Sequence, residues 1–305
     1  MTQELPLDLV RTLLTVVDEG TFDAAARVLH VTPSAVSQRV KALEQRTGRV
    51  LLIRAKPVRP TESGEAVVRF ARQLARLEQD AHTALGMSDS AGSARLPIAV
   101  NADSLATWFL PALTQVPDEL RPCYELHRED EAHTARLLRE GLVMAAVTSS
   151  PDAVAGCLVR VLGGMRYVPA AQPAFARRWL GTGRDVPLRE VIADAPVVTF
   201  DRHDDLQDGF VRRLRRGGRA GAGGRRHAMP TSEGFVTAVT AGLGWGMVPA
   251  VQAGPLLDTG RLVRLAPPDR DVTVRLYWQQ WKLDSPALTA VADAVAAAAA
   301  RALEP

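Results

Sequence analysis

The stretch TFDAAARVLHVTPSAVSQRVKALEQRTGRVLLIR, residues 21–54, decides how the first part of this chain folds. Thr21 stands where a helix N-cap is wanted, ahead of an alanine-rich run from Phe22 to Leu29. Its hydroxyl can accept from the free backbone N–H groups of the first turn. His30-Val31 leaves room only for a tight connection, and Thr32-Pro33 then pairs a cap with a proline. At the first helical position the missing proline N–H forfeits no bond. That helix runs to Thr47 and stops at Gly48. Upstream, Leu7, Val10, Leu14 and Val17 mark one apolar helix face, closed by Gly20. Downstream, Val50–Ile53 and Val58–Pro60 flank Arg54-Ala55-Lys56-Pro57 and predict a hairpin. Three helices and a hairpin in this order make a winged helix-turn-helix.

The chain has 305 residues and a formal charge of +3, enough length for two domains with their own cores. The charge is unevenly placed. Between Arg27 and Arg59 eight basic residues face one acid, Glu44, a local +7; seven arginines and no acid between Arg212 and Arg226 give another +7. The rest of the chain therefore carries −11. Because the first basic segment coincides with the helix-turn-helix signal, it reads as a footprint for double-stranded DNA rather than a solvated face.

In the third helix Ala35, Val36 and Val40 can pack inward, leaving Thr32, Ser34, Ser37, Gln38 and Lys41 toward the groove. Gln38 is the candidate base reader, since its amide can bond adenine through two hydrogen bonds. Ser34, Ser37 and Lys41 suit phosphates, which fix register. Arg54, Lys56 and Arg59 place the hairpin along the DNA backbone. The second basic segment is interrupted by Gly217, Gly218, Gly221, Gly223 and Gly224. It reads as a surface loop with no packed support, with auxiliary contact to nucleic acid as the other reading.

A long helix is predicted from about Glu62 to Leu85. Val67, Phe70, Leu74, Leu77, Ala81 and Ala84 form a narrow heptad stripe between charged flanks at Arg69, Arg72, Arg76, Glu78 and Asp80. Such a stripe fits a seam between two copies better than one helix lying on its own domain. The division is therefore 1–60 for DNA binding, 61–86 for a dimerising linker helix, 87–95 for a glycine-serine hinge, and 96–305 for a separate α/β domain. Beyond the hinge, strands alternate with helices, the pattern of an α/β domain around parallel sheets. Expected strands are Leu96–Val100, Met144–Thr148, Val197–Phe200, Trp245–Val248, Arg261–Leu265 and Thr273–Gln279. An alanine-rich helix opened by Ser285-Pro286 ends the chain. No internal repeat of fixed period is visible.

In such sheets ligands bind beyond the carboxyl ends of the strands, against helix N-termini. Four segments have that form: Asn101 to Ser104, which opens a helix containing Trp108; Thr148-Ser149; Thr199 to Asp201; and Pro230 to Gly234. Ser104, Thr148 and Ser149 can hold a carboxylate, Asp103, Asp201 and Glu233 answer a cation, and Asn101, Trp108, Thr199 and Ser232 complete the candidate ligand-binding set. Any one of them alone reads as a helix cap.

Other features exclude functions. Cys123 and Cys157 have no paired spacing and no histidine cluster beside them, so neither a disulfide framework nor a metal site is expected. Phe235 to Leu257 carries no charge, yet its glycines and prolines suit a helix, turn and buried strand rather than a membrane span. No secretory signal pattern is seen, and the expected location is the cytoplasm. The nucleophile elbow G-x-S-x-G, the dinucleotide fingerprint and metal-ligand spacings are missing, so an enzyme is not expected and no cofactor is predicted. Trp245, Trp278 and Trp281 read as core or interface residues rather than a base-stacking platform.

Residues 7–59, above all the stretch quoted first, resemble the DNA-binding segment of LysR-type transcriptional regulators. The resemblance implies a two-lobed effector domain of periplasmic-binding-protein type, with lobe I at about 96–161 and 268–305 and lobe II at about 162–267. It also implies a homodimer or homotetramer on DNA and possible contact with RNA polymerase. VNADSLATWFLPAL (100–113), EDEAHTARLLREG (129–141), AAVTSSP (145–151), FDRHDDLQ (200–207) and PTSEGFVTAVTAGLGWGMVP (230–249) are similar to the branch that senses basic amino acids. The implied effector is lysine or arginine, and the implied target an exporter gene. Ser104 and its helix N-terminus would take the α-carboxylate, and Asp103, Asp201 or Glu233 the cationic group. Ala132 stands where that branch often has an acid, so the stretch around His133 is left structural. Two other readings stand beside this one: a LysR-type regulator of another pathway, and an architectural or replication-control DNA-binding protein that ignores ligands.

Overall fold

Helices α1 (Leu7–Glu19), α2 (Phe22–Val28) and α3 (Pro33–Thr47) pack through Val10, Leu13, Val16, Ala25, Ala26, Val36, Val40 and Leu43, all buried in one core. The hairpin is short, β1 (Leu52–Ile53) against β2 (Arg59–Pro60). In this computed structural model residues 4–85, 95–128, 131–181, 187–215, 221–222 and 225–305 are described. Hinge residues 86–94, the acids Glu129 and Asp130, the His133 side chain and Arg216 to Ala220 lie outside that description.

The linker helix α4 (Glu62–Ala84) is tied to the hairpin at its start. The Thr61 hydroxyl donates to the Val50 carbonyl (2.7 Å) and accepts from the Gly64 N–H (3.0 Å). A Cβ at Gly64 would lie 2.0 Å from the Leu51 carbonyl oxygen, so only glycine allows this approach. Val67, Val68 and Ala71 complete the winged-domain core. Val67 therefore belongs to its own domain and not to the outward stripe expected of it, whereas Phe70 and Leu77 remain exposed.

Beyond residue 94 the core is a seven-stranded sheet in the order β10-β6-β11-β5-β3-β4, with β9 also on β6. The strands are β3 (Arg95–Val100), β4 (Cys123–Arg128), β5 (Ala145–Thr148), β6 (Cys157–Ala171), β9 (Gly246–Pro249), β10 (Val263–Arg264) and β11 (Val272–Trp281). β7 (Val197–Thr199) and β8 (Arg226–Ala228) pair separately, in parallel. β3 is parallel to β4 and β5, but β6 is antiparallel to β9, β10 and β11. The sheet is thus mixed, not parallel as expected, because the long β6 runs antiparallel to β9, β10 and β11.

β6 was not among the expected strands, since Gly163-Gly164 and Pro169 punctuate it. The glycines serve a close approach: a Cβ on Gly163 would meet the Glu304 carbonyl oxygen at 2.6 Å, and one on Gly164 the Thr273 methyl at 2.3 Å. Gly164 and Glu304 instead exchange backbone hydrogen bonds of 2.7 and 2.9 Å. β4 and β8 were likewise unread.

The uncharged stretch 235–257 resolves into parts of Ser232–Thr240, β9 and Ala250–Asp258, and no described helix is long and apolar enough to cross a membrane. Trp245, Trp278 and Trp281 are buried, as read. The described arginines at the two ends of the Arg/Gly segment are anchored, while most of its middle lies outside the described residues. Arg212 pairs with Asp205; Arg226 pairs with Asp208 at 2.6 Å; Arg215 donates to the Arg189 carbonyl at 2.8 Å; Arg225 lies 5.3 Å over the Trp179 ring.

Candidate functional site

At the DNA-reading end both threonine caps form. Thr21 Oγ1 accepts from Ala24 N–H at 3.1 Å and Thr32 Oγ1 from Ala35 N–H at 3.2 Å. His30, at φ 53°, makes the tight connection, and Val31 N–H returns to the Ala26 carbonyl. With Val36, Val40 and Leu43 inward, Ser34, Gln38 and Lys41 share one exposed face of α3, with Ser37 half-buried beside it. Glu44, the single acid of the basic segment, accepts from the Leu51 N–H at 2.8 Å and so fastens the hairpin to α3. Arg54 lies 5.6 Å over the Phe22 ring, and Lys56 is exposed at the hairpin tip. Arg59 is also exposed, but it lines a cavity between the hairpin, α4 and the effector domain.

The second site is a cleft of about 1030 Å³ between the lobes. Asn101 and Asp103 reach it from the helix spanning 102–113, which widens into a π-helical stretch at Leu105–Phe109. Asp201, His203, Asp204 and Gln207 reach it from the opposite lobe, and Tyr167 and Thr273 from the crossing strands β6 and β11. Asp103 is half-buried, and Tyr167 donates its hydroxyl to Asp103 Oδ2 at 2.8 Å. Desolvation lifts the Asp103 carboxyl above its usual range, reinforced by the nearby Glu233 charge, while bonds from Ser232 and Tyr167 pull the other way. Asp204 is also raised, first by desolvation and then by Asp201, although it accepts from the Phe200 and Leu206 N–H groups at 2.8 and 3.1 Å. Among the described residues Asn101 Oδ1 and Gln207 Oε1 have no hydrogen-bond partner, and neither has the fully buried Ser104 Oγ. Asn101 and Gln207 line the cleft, so their oxygens offer a bound molecule two open acceptors, whereas Ser104 is not a lining residue.

Of the residues picked from the sequence, Asn101, Asp103 and Asp201 line the cleft, and Ser232 interacts with Asp103. Asp201 is partly spent on its own turn, accepting from the His203 and Asp204 N–H groups. Ser104, Trp108, Thr148, Ser149, Thr199, Ser232 and Glu233 are not among the lining residues, so the hydroxyl expected to take the α-carboxylate lies buried beside the cleft and not in it. Thr148 and Thr199 are buried, and Thr148 Oγ1 accepts from the Ser150 N–H. Trp108 packs edge-on against Phe109 in the core. Sequence reasoning missed Tyr167, Asp204, Gln207 and Thr273. Asp204 and Gln207 stand in the quoted segment FDRHDDLQ, whereas Tyr167 and Thr273 depend on how β6 and β11 cross.

Residues 7–65 match the family described as bacterial regulatory helix-turn-helix protein, lysR family, and residues 90–300 match the LysR substrate binding domain. The chain is 42% identical over 297 residues to the lysine export transcriptional regulatory protein LysG of Corynebacterium glutamicum, covering 96% of this chain and 98% of that protein. The full-length structure of LysG from that organism with bound effector arginine superposes with a TM-score of 0.83 at 41% identity, covering 98% and 100% of the two chains. The crystal structure of ArgP from Mycobacterium tuberculosis gives 0.87 at 45% identity, covering 97% and 98%. With both halves matched in the same order, the chain belongs to the LysR family of bacterial helix-turn-helix regulators.

Proposed function

We propose that this protein is a homo-oligomeric transcriptional regulator whose effector is lysine or arginine and whose target is an exporter gene for such amino acids. The observation that carries the reading is in the cleft, where Asp103 from one lobe and Asp204 from the other both have carboxyls lifted by desolvation. Carboxylates in that state gain most from an incoming cation. A basic amino acid brings two cationic groups and one carboxylate. The N–H groups beginning the helix 102–113, beside Asn101, suit the carboxylate. Asp103 and Asp204 suit the two cations, with Asp201 nearby. The arginine bound in the Corynebacterium glutamicum relative and that relative's lysine-export name support the same ligand class.

In this reading two winged domains bind two DNA half-sites, with Gln38 reading bases and Ser34, Ser37, Lys41, Arg54 and Lys56 on phosphates. The exposed Phe70 and Leu77 on α4 meet a second copy. Effector in the cleft biases the oligomer toward one arrangement because it binds the two arrangements unequally. The test is a thermal melt against the twenty amino acids, where a ligand at 100 times its Kd adds about 2.7 kcal/mol. Lysine or arginine is expected to stabilise. No stabilisation, together with an operator footprint unchanged by millimolar lysine, arginine or histidine, would sink the proposal.

A further inference from the structure

The effector-domain helix Glu131–Glu140 has a C-terminus that its own neighbours only half complete. Gly141 sits at φ +71°, and the Gly141 and Leu142 N–H groups return to the Leu138 and Leu137 carbonyls at 3.1 and 2.9 Å. That double return satisfies two of the last four carbonyls of a helix. The other two belong to Arg139 and Glu140, and both accept from the linker helix α4. Arg69 Nη1 donates to the Arg139 carbonyl at 3.4 Å, and Arg72 Nη1 donates to the Glu140 carbonyl. The linker helix therefore finishes the cap of an effector-domain helix. The two run close: a Cβ on Gly141 would lie 3.3 Å from Arg69 Cα and 3.1 Å from the Trp281 ring.

Arg72 also faces the other way. Its Nη2 donates to Asp18 Oδ1, near the end of α1, at 2.5 Å, and its side chain is only 16% exposed. One guanidinium thus joins the winged domain, the linker helix and the effector domain. Its charge suits both partners, a carboxylate and the negative end of a helix. Beside it lies a cavity of about 530 Å³ lined by Asp18, Arg59, Glu65, Arg136 and Glu140 among others. Around Arg72 the domains meet through directed polar bonds beside a void, which can break and re-form, and not through a packed apolar face. From Gly141 the chain passes through Met144, whose N–H bonds the Pro97 carbonyl, straight into β5 at the centre of lobe I.

We propose that Arg72 is a positioning residue: it sets the angle at which the winged domain stands on the effector domain, and effector occupancy reaches DNA through its contact with the Glu140 carbonyl. The second half rests on the basic-amino-acid reading given above; the first half does not.

The test uses the full-length protein with spin labels on the exposed native Cys123 and on Asp23→Cys in α2, diluted with unlabelled protein. Cys157 stays unlabelled, because burial pushes its thiol up to about 11. Effector-free protein with Arg72 intact is expected to give one narrow distance, and Arg72→Ala a displaced or broadened one. An unchanged distribution in Arg72→Ala overturns the positioning role. If Arg72→Ala loses its cooperative melt, Asp18→Asn decides on the same readout, because it removes only the winged-domain partner. In the second arm, Arg72→Ala is expected to bind free arginine within about twofold of wild type while the arginine-induced change in operator footprint falls at least about fivefold. A wild-type-like footprint response overturns the signalling role. Failure of wild-type protein to bind arginine removes the effector assignment and leaves the positioning role to stand or fall on the distances.

Discussion

Tyr167 donates its phenolic hydroxyl to Asp103 Oδ2 across 2.8 Å, linking the crossing strand β6 to the start of the helix that faces the cleft. The bond matters because Asp103 is held above the ordinary carboxyl range by desolvation. An acid raised by desolvation beneath a cleft makes ligand binding sensitive to pH.

Affinity for a basic amino acid is expected to rise with pH, from the ordinary aspartate range upward through the raised Asp103 value. A cation favours the charged carboxylate, so binding expels the proton and is easier once the proton is gone. Apo stability runs the opposite way. The unfolded chain ionises first, so the contribution of Asp103 to stability falls over the same window. Calorimetric titrations with arginine across that window check both signs, and Asp103→Asn should flatten most of the slope, the remainder residing on Asp204. A wild-type affinity that falls with pH contradicts the assignment.

Tyr167→Phe removes a bond to the charged form of Asp103. The pH profile should move upward, and arginine affinity at a pH inside the titration window should fall, since a hydrogen bond to the charged form contributes about 1.5–3 kcal/mol. Titrations of the variant read this directly, and an unshifted profile would show the bond to be idle.

Gln38→Ala and Lys56→Ala should fail differently. The first is expected to lose about 1–3 kcal/mol of discrimination at one base position. The second should weaken operator and random DNA alike and reduce the salt slope by about one phosphate. Competition binding at several salt concentrations separates them; equal losses on both DNAs in Gln38→Ala would take the base-reading role from that residue.

Thr32→Ala should lower the stability of the winged domain by about 1 kcal/mol, the usual worth of an N-cap. Its hydroxyl is the acceptor for the Ala35 N–H. The denaturant midpoint measures the loss, and Thr32→Ser should restore most of it.

The DNA-binding half was legible in the sequence because its signals are local. Thr21, Thr32, Gly20 and Gly48 each act within one turn of chain, and each sits where its residue type predicts. The cleft was only partly legible. Asn101 and Asp103 follow from a strand-end rule, but Tyr167 and Thr273 depend on two long strands crossing between lobes. β6 hid behind Gly163, Gly164 and Pro169, residues that usually end strands and here serve a close approach. Val67 illustrates another limit. A heptad position says that a side chain is apolar on one face, not whether its neighbour is the same domain or a second copy. The anchored arginines of the Arg/Gly segment were unreadable for a similar reason, since Asp205, Asp208 and Trp179 find them only in three dimensions.

The β6–β11 ladder pairs from Cys157–Trp281 to Tyr167–Val272 with a single register shift, where Leu276 faces Gly163 but Tyr277 faces Val161. Leu162 is skipped. A double ribbon of this kind behaves as a torsion bar: it resists shear along its hydrogen bonds and yields to twist, most readily where one residue is left over. If a ligand in the cleft moves the lobes, the motion is expected as a small rotation about this ribbon, centred where Leu162 is left over. The useful measure of response is therefore an angle, and stiffening the skipped position would change its size without touching the ligand.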